Sequence, residues 1–324
     1  MKAIVQERFG PPEVLRLVDI DVPDIGAGDV LIRVHAAALN PYDWHMLRGD
    51  PYIARLMGIG LTRPKSRVAG IDAAGRVEAV GADVHGLRPG DDVFGLCPGA
   101  FAEYVRVAAD KVAPKPASLT FEQSAAIPMA GSTALRAMRD VGAVQAGQRV
   151  LINGAGGGIG TFAVQIAAAL EAEVTGVCST ANIELVRRLG AAHVVDYAAD
   201  DFTSTGDRYD VILDNVGNQP LRRLRRALRP TGTLALNAGG SPGHLFGALG
   251  AIMRAVVVNG FVRQRIRPVP TNQNREDLLA LTGLVEHGKV TPVLGRVYPL
   301  ADTAEGLRYV EQGHARGKVI IAVS

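Results

Sequence analysis

Cysteine is nearly absent from this chain. Only Cys97 and Cys178 occur in 324 residues, far apart and in no metal or redox spacing, which excludes a disulfide scaffold, a four-thiolate zinc lobe and a dithiol redox motif. A reducing cytoplasmic setting is the expectation. Neither sign of charge dominates: 35 Lys and Arg against 32 Asp and Glu leave a net charge of +3, too small an excess to argue for nucleic acid. Long hydrophobic runs are missing as well. The longest, Leu245 to Val258, is interrupted by Arg254 and is shorter than a membrane span requires. The opening Met1-Lys2-Ala3-Ile4-Val5 enters a strand-like segment without the apolar core of a signal peptide, so neither export nor a membrane is expected. No internal repeat or low-complexity segment is present.

What remains, 48% hydrophobic, 21% charged and 5% aromatic, is the composition of an ordinary α/β protein long enough for two domains. The first third alternates in short periods with frequent Gly and Pro, as in Val30–His35, Gly75–Val80 and Ala102–Val107, which predicts a β-rich domain. From about Phe121 strands alternate with helices: Val150–Asn153, a helix through Phe162–Ala167, Ala172–Cys178, a helix over Ile183–Leu189, Ala192–Asp196, Tyr209–Asp214, a helix from Gln219 to Leu228, and Thr233–Asn237. That alternation predicts a doubly wound parallel sheet. A helix from Asn274 to His287, a strand at Arg296–Tyr298, a helix over Ala304–Gln312 and a last strand, Lys318–Val323, read as a tail returning to the first domain. The expected division is 1–122, completed by 263–324, and 123–262.

The most informative run is the apolar strand that ends at Asn153 and passes at once into Gly154-Ala155-Gly156-Gly157-Gly158-Ile159-Gly160. A strand turning abruptly into a helix aims the unpaired N–H groups of the first helical turn at whatever sits in the turn, and glycine lets the backbone touch phosphate. The spacing to the next strand completes a dinucleotide-binding unit; the alternative is a tight turn that binds nothing. The end of that next strand selects the cofactor. An NAD site places Asp or Glu there, whereas this chain has Cys178-Ser179-Thr180-Ala181-Asn182. Hydroxyls at Ser179 and Thr180, with Tyr197 closing the following strand, favour NADPH; for Tyr197, strand-end packing is the plainer role. An NADP site usually adds Arg or Lys nearby, and Ala181 stands there instead.

The cluster Arg222, Arg223, Arg225, Arg226 and Arg229 invites a nucleic-acid reading. It falls on one short helix where late cations offset the dipole, with no aromatic platform beside it, and the expectation is a solvated face. No nucleic-acid partner is expected.

The segments Asn40-Pro41-Tyr42-Asp43, Ala69–Val77, Leu87–Gly95, Ala130–Ala134 and Gly313–Ile321 give the chain a resemblance, over nearly its full length, to the medium-chain dehydrogenase/reductase superfamily and its zinc-free quinone oxidoreductase branch. The resemblance implies an α/β fold, with a GroES-like β-rich catalytic domain joined to a Rossmann domain and the active site in the cleft between them. It places Asn40 and Ile71 where zinc alcohol dehydrogenases carry a ligand Cys and a ligand His. Catalytic zinc needs three protein ligands, so an alcohol dehydrogenase is a lower alternative and no metal is expected. Without a Lewis acid, activated acceptors fit better: a quinone or an α,β-unsaturated carbonyl spreads the developing charge over a conjugated system.

Donors for such a substrate are expected from Asn40, Tyr42, Asp43 and Tyr52. Turn residues around Pro41 are the plainer reading of Asn40 and Asp43, and Tyr42 competes with Tyr52 as proton donor. His45 and Arg48 either face the site or are structural. For the cofactor the resemblance adds Thr133 and Phe261, and the positions after strand ends add Asn215, Val216, Asn237, Ala238 and Gly239. Lys318 either reaches the cofactor or is a solvated edge charge. An NADPH-binding sensor with little turnover is the alternative outside catalysis. The run Ala255-Val256-Val257-Val258 is expected to be an exposed last strand that pairs two subunits into a homodimer, unless the Leu245–Ile252 helix covers it.

Overall fold

The computed structural model describes residues 1–50, 52, 55, 59–237, 258–270 and 272–323. They form two units: 1–132 with 273–288 and 292–324, and 133–272 with 289–291.

The first unit opens with the antiparallel pair β1 (Lys2–Val5) and β2 (Arg16–Asp19). The long strand β3 (Asp29–Leu39) runs into the helix Pro41–Arg48. Then come β4 (Asp72–Val80), β5 (Asp92–Leu96), β6 (Tyr104–Ala108) and β7 (Val112–Pro114), followed by the helices Phe121–Ala125 and Pro128–Arg136. Along β3 the even positions Val30, Ile32, Val34, Ala36 and Ala38 are buried, the period of two that a one-sided strand requires. The last four residues, Ala36–Leu39, are all buried, because the end of β3 lies between two other strands.

The second unit holds six parallel strands: β8 (Arg149–Asn153), β9 (Glu173–Cys178), β10 (His193–Asp196), β11 (Tyr209–Asp214), β12 (Leu228–Leu236) and β13 (Arg265–Pro268), in the order β10-β9-β8-β11-β12-β13. Helices Gly158–Ala169, Ile183–Arg188 and Leu221–Ala227 connect them. Val150, Leu151 and Ile152 are all buried, the continuous apolar run of a strand covered on both faces. Leu151, Ile212, Leu234 and Ile266, one from each of four adjacent strands, centre the core; each contributes about 1.5–3 kcal/mol by leaving water.

The chain then returns to the first unit through the helix Arg275–Glu286, β14 (Leu294–Pro299), the helix Thr303–Glu311 and β15 (Lys318–Ala322). The result is a seven-stranded sheet, β14-β15-β3-β4-β5-β7 with β6 also on β3.

The boundaries differ from the expectation in two places. Phe121–Ala125 and most of the next helix pack with the first unit, and residues 263–272 stay with the second because β13 pairs with β12. The expected edge strand 255–258 lies outside the described residues except for Val258, which begins a helical turn, and the Leu245–Ile252 helix lies outside them entirely. Among the described residues the strand at that edge is β13, Arg-Ile-Arg-Pro. Charge and proline on an edge oppose strand pairing, so the apolar-edge argument for a homodimer loses its described basis.

Candidate functional site

Within the first unit, the sequence brings four buried polar residues to one place. Asn40 follows β3 and precedes the helix Pro41–Arg48, and Asp43 in that helix's first turn accepts the Asn40 backbone N–H at 2.7 Å, half of a capping box. Asp72 begins β4 and Lys318 begins β15, the two strands flanking the end of β3. Lys318 is 2% exposed and Asp72 0%. The Lys318 ammonium donates to Leu39 O at 3.0 Å and Asn40 Oδ1 at 2.5 Å, and lies 3.5 Å from Asp72 Oδ2. Three donors meet three acceptors, which keeps the ammonium charged.

Asp72 is engaged on both oxygens. Oδ2 accepts from Asn40 Nδ2 at 3.1 Å, and Oδ1 accepts the Met129 N–H at 3.1 Å, from the first turn of the helix Pro128–Arg136. Burial pushes the Asp72 carboxyl up and the Lys318 ammonium down, each opposed by the charge of the other. Asp43 is raised to about 7, chiefly by burial, while the Asn40 N–H pulls it back. Burial also raises the Cys97 thiol, with the Asp72 charge adding to it, so that thiol is inert at neutral pH.

The predicted site residues therefore separate. Asn40 is neither a loose turn residue nor a spare donor, because its amide N–H groups go to Asp72 and to Ala38 O at 3.3 Å. Tyr42, on the same helix, is 42% exposed, and burial of part of its ring with the nearby Asp43 holds its phenol above the ordinary value; it is protonated at neutral pH. Tyr52 is 50% exposed, its ring 4.8 Å from the Arg55 guanidinium carbon. His45 stacks on Trp44 at 3.6 Å and Arg48 pairs with Glu311 at 2.5 Å, so both are structural. Lys318 is no solvated edge charge: β15 is paired on both sides and the ammonium is spent inside the first unit.

Zinc does not fit this group. The amide oxygen of Asn40 is taken by Lys318, Ile71 offers no donor, and a fixed ammonium repels a dication. Among the described residues no three His, Cys, Asp or Glu gather as a ligand set.

In the second unit, Gly154 N–H and Ala155 N–H both donate to Val177 O, at 3.1 and 2.9 Å, which folds the glycine turn over the end of β9. Thr161 N–H bonds Gly157 O at 2.9 Å, leaving the N–H groups of Gly158, Ile159 and Gly160 before it without intrahelical acceptors. Beside the turn, Asn215 follows β11 and accepts from Asn237 Nδ2 at 3.0 Å, while its own buried Nδ2 has no partner among the described residues. An orphaned buried donor at the carboxyl end of a parallel sheet is a reason to expect a ligand there. A cavity of about 280 Å³ opens at the same end, lined by Asn153, Val177, Tyr197, Asp201, Asn218 and Gln219 among others. These features fit a dinucleotide. Thr133 is buried in the helix Pro128–Arg136, Val216 is exposed beside Gly154, and Ala238 and Gly239 lie outside the described residues.

Sequence reasoning missed three groups here. Asp214 is buried and its Oδ1 gathers Asn153 Nδ2, Val216 N–H and Gly217 N–H at 2.8–3.2 Å; the Asp-Asn-Val-Gly run after a strand carried that signal as an Asx turn. Asn153 Nδ2 also reaches Asn218 Oδ1 at 3.0 Å. Most consequentially, an acid does stand near the cofactor-selecting strand end. Asp196 pairs in register with Cys178, and its carboxylate takes the Thr180 hydroxyl at 2.5 Å. The Thr180 hydrogen bond and the Ala198 N–H hold Asp196 below the ordinary carboxylate range, so it is ionised. Burial and that carboxylate raise the Cys178 thiol to about 11. Phe261 stands apart from all of these residues, in a cavity described below.

Residues 26–117 match the family described as "Alcohol dehydrogenase GroES-like domain", and residues 189–321 match "Zinc-binding dehydrogenase". The chain is 34% identical to the Bos taurus protein named "NAD(P)H oxidoreductase RTN4IP1, mitochondrial", over all of this chain and 89% of that one. It is 31% identical to "NADPH-dependent alkenal/one oxidoreductase, chloroplastic" of Arabidopsis thaliana, over 99% of this chain and 79% of that one. The solved quinone oxidoreductase of Coxiella burnetii superposes with a TM-score of 0.87 at 32% identity, covering 100% of this chain and 99% of that one.

Proposed function

Because the chain belongs to the medium-chain dehydrogenase/reductase superfamily, we propose that it is a zinc-independent, NADPH-dependent reductase of quinones or α,β-unsaturated carbonyls. That it is an oxidoreductase using a nicotinamide cofactor follows from the family. The observation carrying the finer reading is the Lys318 ammonium lodged against Asn40 and Asp72, a fixed cation where a zinc ligand set would have to assemble. A chain without a Lewis acid is suited to acceptors that delocalise charge themselves.

The open N–H groups of Gly158–Gly160 hold the pyrophosphate, Ser179, Thr180 and Tyr197 meet the adenosine end, and Asn215 offers its spare amide donor toward the nicotinamide end. A bound nicotinamide supplies hydride. The chain supplies hydrogen bonds and a proton: Tyr42, protonated at neutral pH and exposed, donates to the acceptor oxygen, while Asp43, Asn40 and Asp72 fix the helix that carries it. Tyr52, equally exposed, is the competing donor.

NADPH oxidation followed by absorbance with a panel of quinones and enones tests the reading. Turnover should survive chelation unchanged. Activity that disappears on chelation and returns with zinc overturns the zinc-free assignment, and NADPH binding without turnover of any acceptor replaces the enzyme with a sensor.

Cofactor preference gives a separate test. The efficiency kcat/KM should be higher with NADPH than with NADH, yet restrained by the ionised Asp196 beside Thr180. Removing that like charge in Asp196→Asn should raise the NADPH/NADH ratio by about tenfold, the effect of ~1.4 kcal/mol. Cys178→Asp, adding a second carboxylate, should lower it. Equal efficiencies in the parent protein, unmoved by Asp196→Asn, would refute the preference.

A further inference from the structure

The arginine run on the helix Leu221–Ala227 is not uniform. Arg223 pairs with Asp201 at 3.1 Å and Arg229 with Asp210 at 3.0 Å. Arg222, Arg225 and Arg226 instead turn to a cavity of about 400 Å³, where Arg263 joins them and where no carboxylate lines the wall among the described residues. Asp201, already tied to Arg223 and held low mainly by Thr203, also feels Arg226. Arg225 is held in place rather than neutralised: its Nε donates to Gln264 Oε1 at 3.0 Å, and Gln264 Nε2 donates back to Arg225 O at 2.8 Å.

Phe261, 86% exposed, lines the same cavity, and its N–H is fixed on Val258 O at 3.0 Å. This is the aromatic platform whose apparent absence made the sequence read as a merely solvated basic face. The cavity is also distinct from the glycine turn. Pro230 and Gln264 precede the paired stretches of β12 and β13, which begin at Thr233 and Arg265, whereas the glycine turn follows the end of β8. In a parallel sheet these are opposite ends.

We propose that this cavity binds a nucleoside polyphosphate, its phosphates on Arg222, Arg225, Arg226 and Arg263 and its base on Phe261. Four guanidinium groups facing one cavity attract a multiply charged anion, and their planar donor forks match phosphate oxygens in pairs. An exposed aromatic face accepts any base by stacking. The volume is that of a small-molecule pocket, and a nucleic-acid strand would need successive aromatic platforms where the described lining has Phe261 alone.

The test is calorimetric titration of the intact protein with ATP, in excess NADPH so that the glycine turn is filled. One ATP should bind, weakened about tenfold or more by Arg222→Ala/Arg226→Ala, with a shallower dependence of log Kd on log salt and NADPH affinity unchanged. Inorganic tripolyphosphate should bind more weakly than ATP, and Phe261→Ala should erase that difference. Absence of ATP binding, ATP binding abolished by NADPH, or affinity unchanged in the arginine variant overturns the site. Displacement of ATP by a single-stranded oligonucleotide at far lower concentration overturns the ligand in favour of a nucleic-acid strand.

Discussion

Lys318→Met should destabilise the first unit by about 3–5 kcal/mol, because it strands the Asp72 carboxylate in a place without water. The methionine fills much of the same volume, so the loss reports charge rather than a cavity. Asp72 keeps only the Asn40 amide and the Met129 N–H, which hydrogen-bond but do not neutralise. Urea unfolding of the parent, Lys318→Met and Lys318→Met/Asp72→Asn measures this. The double variant should recover much of the loss, since a neutral amide can still accept the Met129 N–H. If the single variant unfolds like the parent, the cluster is not the ionic group described here.

The same cluster sets a pH response. Asp43 sits at about 7 in the fold against roughly 3.9 in an unfolded chain. Between those values the native state holds a proton that the unfolded state has released, so this contribution is complete below about pH 4 and lost as pH rises through about 7. Asp43→Asn, which can still accept the Asn40 N–H, should flatten stability over that interval.

Gly160→Ala should abolish cofactor binding and the folded glycine turn together. A Cβ at this position would lie 2.1 Å from Gly154 O and 2.7 Å from Ala155 Cα, backbone atoms that cannot move without opening the turn. Gly154, at φ +85°, is what bends the chain back there. Gly157→Ala separates fold from function, because its Cβ would meet only Gly154 O at 3.5 Å and φ is −84°. It should fold normally yet weaken NADPH binding, since the added methyl stands at the mouth of the unpaired N–H groups. Thermal melts with and without NADPH separate the two: Gly160→Ala should melt early in both, and Gly157→Ala should match the parent without NADPH and gain less from it. Equal NADPH stabilisation of Gly157→Ala and the parent would place the pyrophosphate elsewhere.

The elements of the second unit from β8 to β12 were legible because each announces itself locally, by apolar strand, glycine turn or helical period, whereas β13, Arg-Ile-Arg-Pro, is too short and charged to do so. The side chains that finish the sites were not, because neighbours in a sheet are strangers in sequence. Lys318 meets Asn40 across 278 residues, through the order β15-β3-β4 that no local pattern encodes, and so neither sequence reading of it was the observed one. Asp196 is brought to the cofactor-selecting strand end only by the parallel register of β9 and β10. Phe261 is adjacent to the arginine helix for the same reason: β13 lies beside β12. The helix carrying Tyr42 went unread, because Asn-Pro-x-Asp fits a turn as well as a helix start, and a start residue that also belongs to a buried charge cluster has no sequence mark.

That dual membership of Asn40 also bears on how the polypeptide matures during synthesis. The strand that supplies Lys318 follows every strand of the second unit in the sequence and pairs with β3. A nascent chain on the ribosome can complete residues 133–272 and 289–291 while the first unit still lacks β15. Until that strand emerges, Asp72 and Asn40 have no cation, and the helix bearing Tyr42 begins from an unfinished anchor. The donor-bearing helix is thus translated long before the strand that locks it.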